Sequence, residues 1–238
     1  MTSTQHHHNI ADNYRHILAR IREQEDRFQR IANSVLLLTV SKTHDAEKVR
    51  QAYAAGARDF GENYVQEALD KIAALAQPRQ ALSDIIWHFI GPIQSNKTRD
   101  IAGAFDWVHS VDRLKIAQRL NDQRPEHLPA LNVCVQVNLS NEDSKSGLPL
   151  DAVEALCASI GELPRLQLRG LMAIPAPCPD HEQQRAAFHP LASLFARLQP
   201  QHAAMDTLSI GMSDDFEAAI AEGSTMIRVG TAIFGART

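Results

Sequence analysis

"VLLLTVSKTH", residues 35–44, stays uncharged until Lys42 and turns polar there. Alternation through Leu36, Leu38 and Val40 carries Lys42 onto the same face as those residues. A strand apolar on both sides belongs to a sheet covered by helices. If the face bearing Lys42 is the inside of a closed sheet, its ammonium points into the mouth of a pocket.

Further runs of this kind follow along the chain. Strands are predicted at 35–40, 57–60, 85–90, 107–109, 131–139, 166–171, 207–210 and 225–229, alternating with helices near 45–55, 62–76, 95–102, 112–122, 150–161, 181–198 and 214–222 and a short terminal turn. Eight such units in a chain near ~250 residues predict an α/β fold, a single (β/α)8 TIM barrel. An open doubly wound sheet is the rival, because periodicity alone does not close a sheet. No GxGxxG or GxxxxGK[ST] follows a strand, which weakens the dinucleotide and P-loop readings. Ile10, Tyr14, Ile17, Leu18 and Ile21 mark an extra N-terminal amphipathic helix, which packs across the barrel bottom or forms a dimer surface. Asp45, Asp112 and Ser213 are candidate helix caps. Residues 9–238 read as one domain, preceded by a disordered polar tip at 1–8 that includes His6 to His8.

With 238 residues, 44% of them hydrophobic, the chain can bury one large core. A net charge of −4 gives no bulk reason to bind nucleic acid or anionic lipid. Cys134, Cys157 and Cys178 lack metal-ligand spacing and read as thiols of a reducing compartment. The polar start and the lack of a run of ~18 apolar residues predict a cytoplasmic protein without a membrane span. A monomer or a weak dimer is expected, with no metal site.

Polar groups gather at the predicted strand ends. Ser209, Gly211, Met212 and Ser213 precede a helix, and Gly230 and Thr231 follow the last strand. Backbone N–H groups and hydroxyls there suit a terminal phosphate, as is common after strands seven and eight of barrels. The alternative is that SDD only caps a helix and the glycines only permit turns. Lys42 alone reads as a solvated lysine. Facing a phosphate site across one mouth, it suggests an aldehyde cofactor held by an imine at one end and its phosphate at the other, pyridoxal 5′-phosphate (PLP). Arg228, inside an apolar strand, needs an acceptor. The unprotonated pyridine nitrogen is one candidate; Asp214, Asp215 or Glu217 are others.

The motifs SKT (41–43), FGENYVQE (60–67), WHFIGPIQSNK (87–97), QVNLSNEDSKSG (136–147), GLM (170–172), LSIGMSDDFEAAI (208–220) and GSTMIRVGTAIFG (223–235) together resemble the pyridoxal phosphate homeostasis protein family. The resemblance runs from about Asn9 to Arg237. It implies a fold-type III PLP-binding barrel like the N-terminal domain of alanine racemase. It also implies the cofactor lysine at Lys42 in an internal aldimine, a lining residue at Asn63, phosphate contacts at Ser209, Gly230 and Thr231, and the pyridine-facing arginine at Arg228. His88, Met172 and Met212 would line the pocket. Ile210 and Ile93 depart conservatively from the family's usual methionine and leucine.

The function so implied is noncatalytic binding of PLP in the homeostasis of vitamin B6 and of amino acids, with PLP-dependent apoenzymes as candidate recipients. The alternative is a weak PLP-dependent racemase or lyase. A racemase needs groups on both faces of its substrate, and Tyr64 is the only one of Tyr14, Tyr53 and Tyr64 near a predicted strand end. A nucleic-acid-binding barrel using 87–99 and 143–147 would need a basic surface that the net charge does not supply. His88 is a pocket donor or a backbone-satisfied histidine, His109 is structural, and NEDSK, 141–145, is a charged loop or an acid/base cluster, with Lys145 and Ser146 candidates to order that loop over the pocket.

Overall fold

The computed structural model describes residues 9–76, 82–139 and 146–235. The N-terminal tip expected at 1–8 and the charged segment 141–145 lie outside the described residues. Helix α1 (Ile10–Arg27) precedes β1 (Leu36–Val40), α2 (Ala46–Ala54), β2 (Asp59–Glu62), α3 (Val65–Leu75), β3 (Ile86–Phe89), α4 (Thr98–Ala104), β4 (Trp107–Val111) and α5 (Leu114–Gln123). The second half runs β5 (Leu131–Val137), α6 (Val153–Gly161), β6 (Leu166–Ala173), α7 (His181–Leu198), β7 (Thr207–Ser209), α8 (Phe216–Ala221), β8 (Met226–Val229) and α9 (Thr231–Phe234).

The strands form one parallel closed barrel in chain order, sealed by β8 against β1 with Leu36 opposite Met226 and Leu38 opposite Arg228. Closure decides against the open sheet. Strand β2 begins later than the apolar pattern predicts, because the Ala57 N–H is spent closing α2 on the carbonyl of Ala52, at 3.1 Å. Asp45 caps α2 as expected, accepting from Lys48 N at 2.9 Å. Asp112 instead pairs with Arg113 at 2.9 Å and caps nothing. At α8 the capping position belongs to Asp215 rather than Ser213.

Between sheet and helices lies one continuous apolar shell that includes Phe60, Phe89, Phe105, Phe188 and Phe216. Helix α1 adds Ile10, Tyr14, Ile17 and Ile21 to it and packs in the outer ring against α2, α8 and α9. Asn13 donates to Ile233 O, and Arg20 pairs with Glu217. The helix therefore lies beside the barrel, not across its bottom, and its apolar face is consumed within the chain.

The inside of the barrel is divided. Leu38, Val40, Ile90 and Met226 form one apolar group, and Trp107, Cys134 and Met172 another. Buried polar side chains of β3, β4, β7 and β8 share the same interior: His88, His109, Ser209 and Arg228. Barrel interiors are ordinarily filled by branched aliphatic layers, so this polar content calls for a reason.

Candidate functional site

At the carboxyl ends of β1, β7 and β8 the barrel opens into a cavity of about 490 Å³. Lys42, Asn63, Met212, Arg228, Gly230 and Thr231 line it, together with Ser213, Asp214 and the apolar Val40, Ile90 and Ile174. Residues from far-apart positions in the chain thus meet at the face where barrel proteins place their chemistry.

Lys42 stands two residues beyond β1 and is half-buried. Its neighbours are held from the outer side of the sheet. Ser41 Oγ donates to Glu62 Oε1 at 2.6 Å, Lys71 Nζ donates to the Ser41 carbonyl at 2.8 Å, and Thr43 N donates to Glu67 Oε1 at 2.6 Å. Thr43 takes a φ of 65°, unusual for a branched residue. The segment carrying Lys42 is therefore pinned on both sides of the lysine. Sequence reading missed this support. Its signal was Lys71, a charge within the buried stripe Ala68, Lys71 and Leu75 of α3.

Arg228 is 4% exposed and reaches the cavity floor. Its guanidinium donates to the Ser209 carbonyl at 2.6 Å, to Ser209 Oγ at 2.8 Å and to the Ala173 carbonyl at 2.9 Å. Burial lowers its pKa to about 10, which leaves it cationic at neutral pH. Of the carboxylates considered as partners, Glu217 pairs with Arg20 at 2.5 Å, and Asp215 Oδ1 takes the Met212 N–H at 2.6 Å. Burial raises the Asp215 carboxyl above its ordinary pKa. The hydrogen bonds of Arg228 thus go to carbonyls and a hydroxyl, Asp215 acts on its charge through space, and Asp214 lines the same cavity.

The loop after β7 folds back over α8 at Gly211, with φ 98° and no room for a Cβ beside Ala219. That turn brings Met212 and Ser213 to the cavity wall, facing the Gly230 and Thr231 loop. Asn63 follows β2, and its Oδ1 is buried without a hydrogen-bond partner. A buried carbonyl oxygen left unpaired is costly unless something else meets it.

Two expected lining residues, His88 and Met172, and the expected phosphate contact Ser209 lie elsewhere. His88, Met172 and Ser209 are fully buried and do not line the cavity. Their positions face the barrel interior below it, where period-two alternation cannot tell a rim residue from the layer beneath. Met172 packs with Trp107 and Cys134. His88 bonds to His109 and Asp59, both at 3.0 Å, and the Ser209 hydroxyl is engaged by Arg228 and His109. Ser213, part of the predicted anion loop, is the serine that lines the cavity. His109 belongs to this interior set, and burial drives its pKa well below the ordinary histidine value, aided by His88 and Arg228.

A second cavity of about 330 Å³ adjoins the first, sharing Asn63, Ile90, Ile174 and Met212 and adding Gln136 and Ser146. Tyr64, 54% exposed, borders a third of about 230 Å³ beside Asn63. Among the described residues, no group of three or more His, Cys, Asp and Glu is placed to hold a metal ion, and no helix is long and apolar enough to cross a membrane.

The alanine racemase N-terminal domain family matches residues 16–238. A pyridoxal phosphate homeostasis protein of Pseudomonas aeruginosa is 58% identical over 228 residues, 96% of each chain. Its namesake from Escherichia coli is 52% identical over 228 residues, 96% of this chain and 97% of that one. The structure of PipY from Synechococcus elongatus with PLP bound superposes with a TM-score of 0.80 at 40% identity, covering 95% of this chain and 100% of that one. Alanine racemase from Corynebacterium glutamicum, 15% identical with a TM-score of 0.67, shares the fold over 96% of this chain and 60% of its own. A barrel closed in chain order, a strand-end lysine and this level of identity lead to one conclusion: the chain belongs to the pyridoxal phosphate homeostasis protein family, built on the alanine racemase N-terminal-domain barrel.

Proposed function

We propose that this protein binds pyridoxal 5′-phosphate in the cavity of about 490 Å³ and serves intracellular PLP and vitamin B6 homeostasis rather than turnover. The observation that carries the reading is the sharing of one cavity wall by Lys42, Arg228 and the Ser213, Gly230 and Thr231 loops. The volume falls within the ~300–1,000 Å³ of small-molecule sites. When bound, PLP supplies an aldehyde for an amine and a ring that can draw electrons from it. Nζ of Lys42 is the nucleophile for that aldehyde. Ser213, Gly230 and Thr231 take the phosphate, and Arg228 donates to the ring nitrogen, which it leaves unprotonated because it stays cationic. The unpartnered Asn63 Oδ1 and the apolar walls of Val40, Ile90 and Ile174 fit a flat, polar-edged ring. Direct handover to PLP-dependent apoenzymes is the route by which such binding would buffer the cofactor in the cytoplasm.

The tyrosines support binding without turnover. Tyr14 is buried in α1, Tyr53 bonds to Asp84, and Tyr64 lies at the neighbouring cavity. One observation favours a racemase or lyase instead, namely the second cavity, which leaves room for an amino acid's side chain. Incubation of PLP-loaded protein with amino acids in D2O separates the two. The homeostasis reading expects α-deuterium exchange no faster than with free PLP, and many exchanges per chain would make the protein an enzyme.

A further inference from the structure

Five polar side chains cross the barrel interior in series. Asp59, at the start of β2, places its carboxylate Oδ1 3.0 Å from His88 Nε2; its side chain is 16% exposed. His88 Nδ1 meets His109 Nε2 at 3.0 Å, His109 Nδ1 meets Ser209 Oγ at 3.0 Å, and Ser209 Oγ meets Arg228 at 2.8 Å. His88, His109 and Ser209 have no exposure to solvent.

The chemistry of the end groups fixes the direction. A guanidinium only donates and a carboxylate only accepts, so Ser209 Oγ accepts from Arg228 at one end, and its own proton is free for an acceptor further along the line. His109 Nδ1 is that acceptor at 3.0 Å, and burial keeps the ring neutral. A neutral ring that accepts at Nδ1 donates at Nε2, here to His88 Nδ1. His88 then donates from Nε2 to the Asp59 carboxylate. Each ring nitrogen in the line is used once, Ser209 Oγ both accepts and donates, and no two donors face each other. The opposite direction sets two acceptors, His88 Nε2 and the Asp59 carboxylate, against each other at 3.0 Å unless one of them gains a proton.

We propose that Ser209, His109 and His88 are positioning residues: a one-way line of hydrogen bonds from Arg228 at the cavity floor to Asp59 at the opposite end of the barrel, which holds the guanidinium as a donor toward the cavity. The line explains why the barrel interior gives up aliphatic packing between its two apolar groups, since a fully satisfied buried network specifies one arrangement. It acts on the site through Arg228 alone. In this it rests on the reading above that Arg228 meets the ring nitrogen of PLP.

The first test needs no cofactor. In protein labelled with 15N-histidine, NMR at neutral pH is expected to show His88 and His109 both neutral and both protonated at Nε2. A His109 protonated at Nδ1, or a cationic His88, would overturn the line whatever binds in the cavity. The second test uses 15N-labelled PLP. Ser209→Ala and His109→Phe are expected to weaken PLP binding about ten-fold, the loss of one charge-assisted hydrogen bond, and to move the ring-nitrogen resonance. Borohydride would still fix PLP to Lys42 in both variants, and His109→Gln, which can accept and donate, would restore part of the shift. Ser209→Ala lacks only one oxygen and serves if His109→Phe does not fold. Unchanged affinity and resonance in Ser209→Ala would refute the positioning role. Wild-type protein that takes no PLP would instead remove the cofactor reading, while the histidine tautomers still decide the line.

Discussion

Lys71 Nζ lies 2.6 Å from Oε1 of Glu62, and both side chains are almost entirely buried, at 4% and 0% exposure. Burial pushes the Glu62 carboxyl up, and Lys71 and the Ser41 hydroxyl oppose that shift. Because Glu62 Oε2 has no partner, the carboxylate depends on what Oε1 meets. Removing one member of such a pair leaves an uncompensated charge. Lys71→Met should therefore cost ~3–5 kcal/mol in urea unfolding, with part of it recovered by adding Glu62→Gln. The same variant frees the Ser41 carbonyl, so Lys42 should react more slowly with PLP.

Asn63 is placed by a contact that only glycine permits. A Cβ at residue 91 would stand 2.2 Å from the Asn63 carbonyl oxygen, and the Gly91 carbonyl is itself held by Ser110 Oγ at 2.6 Å. Gly91→Ala is expected to lose ~1–3 kcal/mol of stability. It should also weaken PLP binding, because the β2 loop has to move. Calorimetry and a PLP titration on one preparation measure both effects.

Glu25 ties α1 to the start of β1. Its Oε1 accepts from Arg22 at 2.8 Å and from Val35 N at 2.7 Å, and Oε2 accepts from Asn33 N at 3.0 Å. Burial alone would raise its pKa, but Arg22 and the two backbone N–H groups outweigh it and hold the carboxyl below the usual 4.5. A lowered folded pKa stabilises above the unfolded value, and the gain is lost as pH falls through the folded one. Glu25→Gln should lower stability by ~1–3 kcal/mol at neutral pH. The gap to wild type should narrow progressively below about pH 4.5 in urea titrations.

Legibility followed periodicity. The alternation in 35–40 and its counterparts located every strand, because a sheet covered on both sides leaves long apolar runs. Alternation put Lys42 at the mouth, the glycine and hydroxyl residues after the last two strands put Met212, Gly230 and Thr231 there, and the family resemblance put Arg228 and Asn63 there. Alternation could not resolve depth. His88, Met172 and Ser209 face inward as expected but sit below the cavity, a distinction set by barrel stagger rather than by local sequence. The support around Lys42 joins neighbouring β1, β2 and α3 through side-chain hydrogen bonds that periodicity does not register, whereas the step from His109 to Ser209 links strands remote in the chain and needs the closed barrel.

The thiols give an independent check on burial. Burial raises the Cys134 thiol well above its usual range and that of Cys157 to about 12, whereas Cys178 is partly exposed. A thiol without thiolate character is a poor nucleophile. In native protein only Cys178 should react with a disulfide reagent at pH 8, and all three should react after unfolding in guanidinium. Rapid native reaction of two or more thiols would contradict the packing described for β5 and α6.

Lys42 is the residue proposed to carry the cofactor. Protein incubated with PLP, reduced with borohydride and digested with trypsin should yield one pyridoxyl-phosphate adduct per chain, on the peptide containing Lys42, and the intact mass of Lys42→Ala should show none. An adduct of equal yield in Lys42→Ala, or wild-type modification mapped to another lysine, would contradict the account.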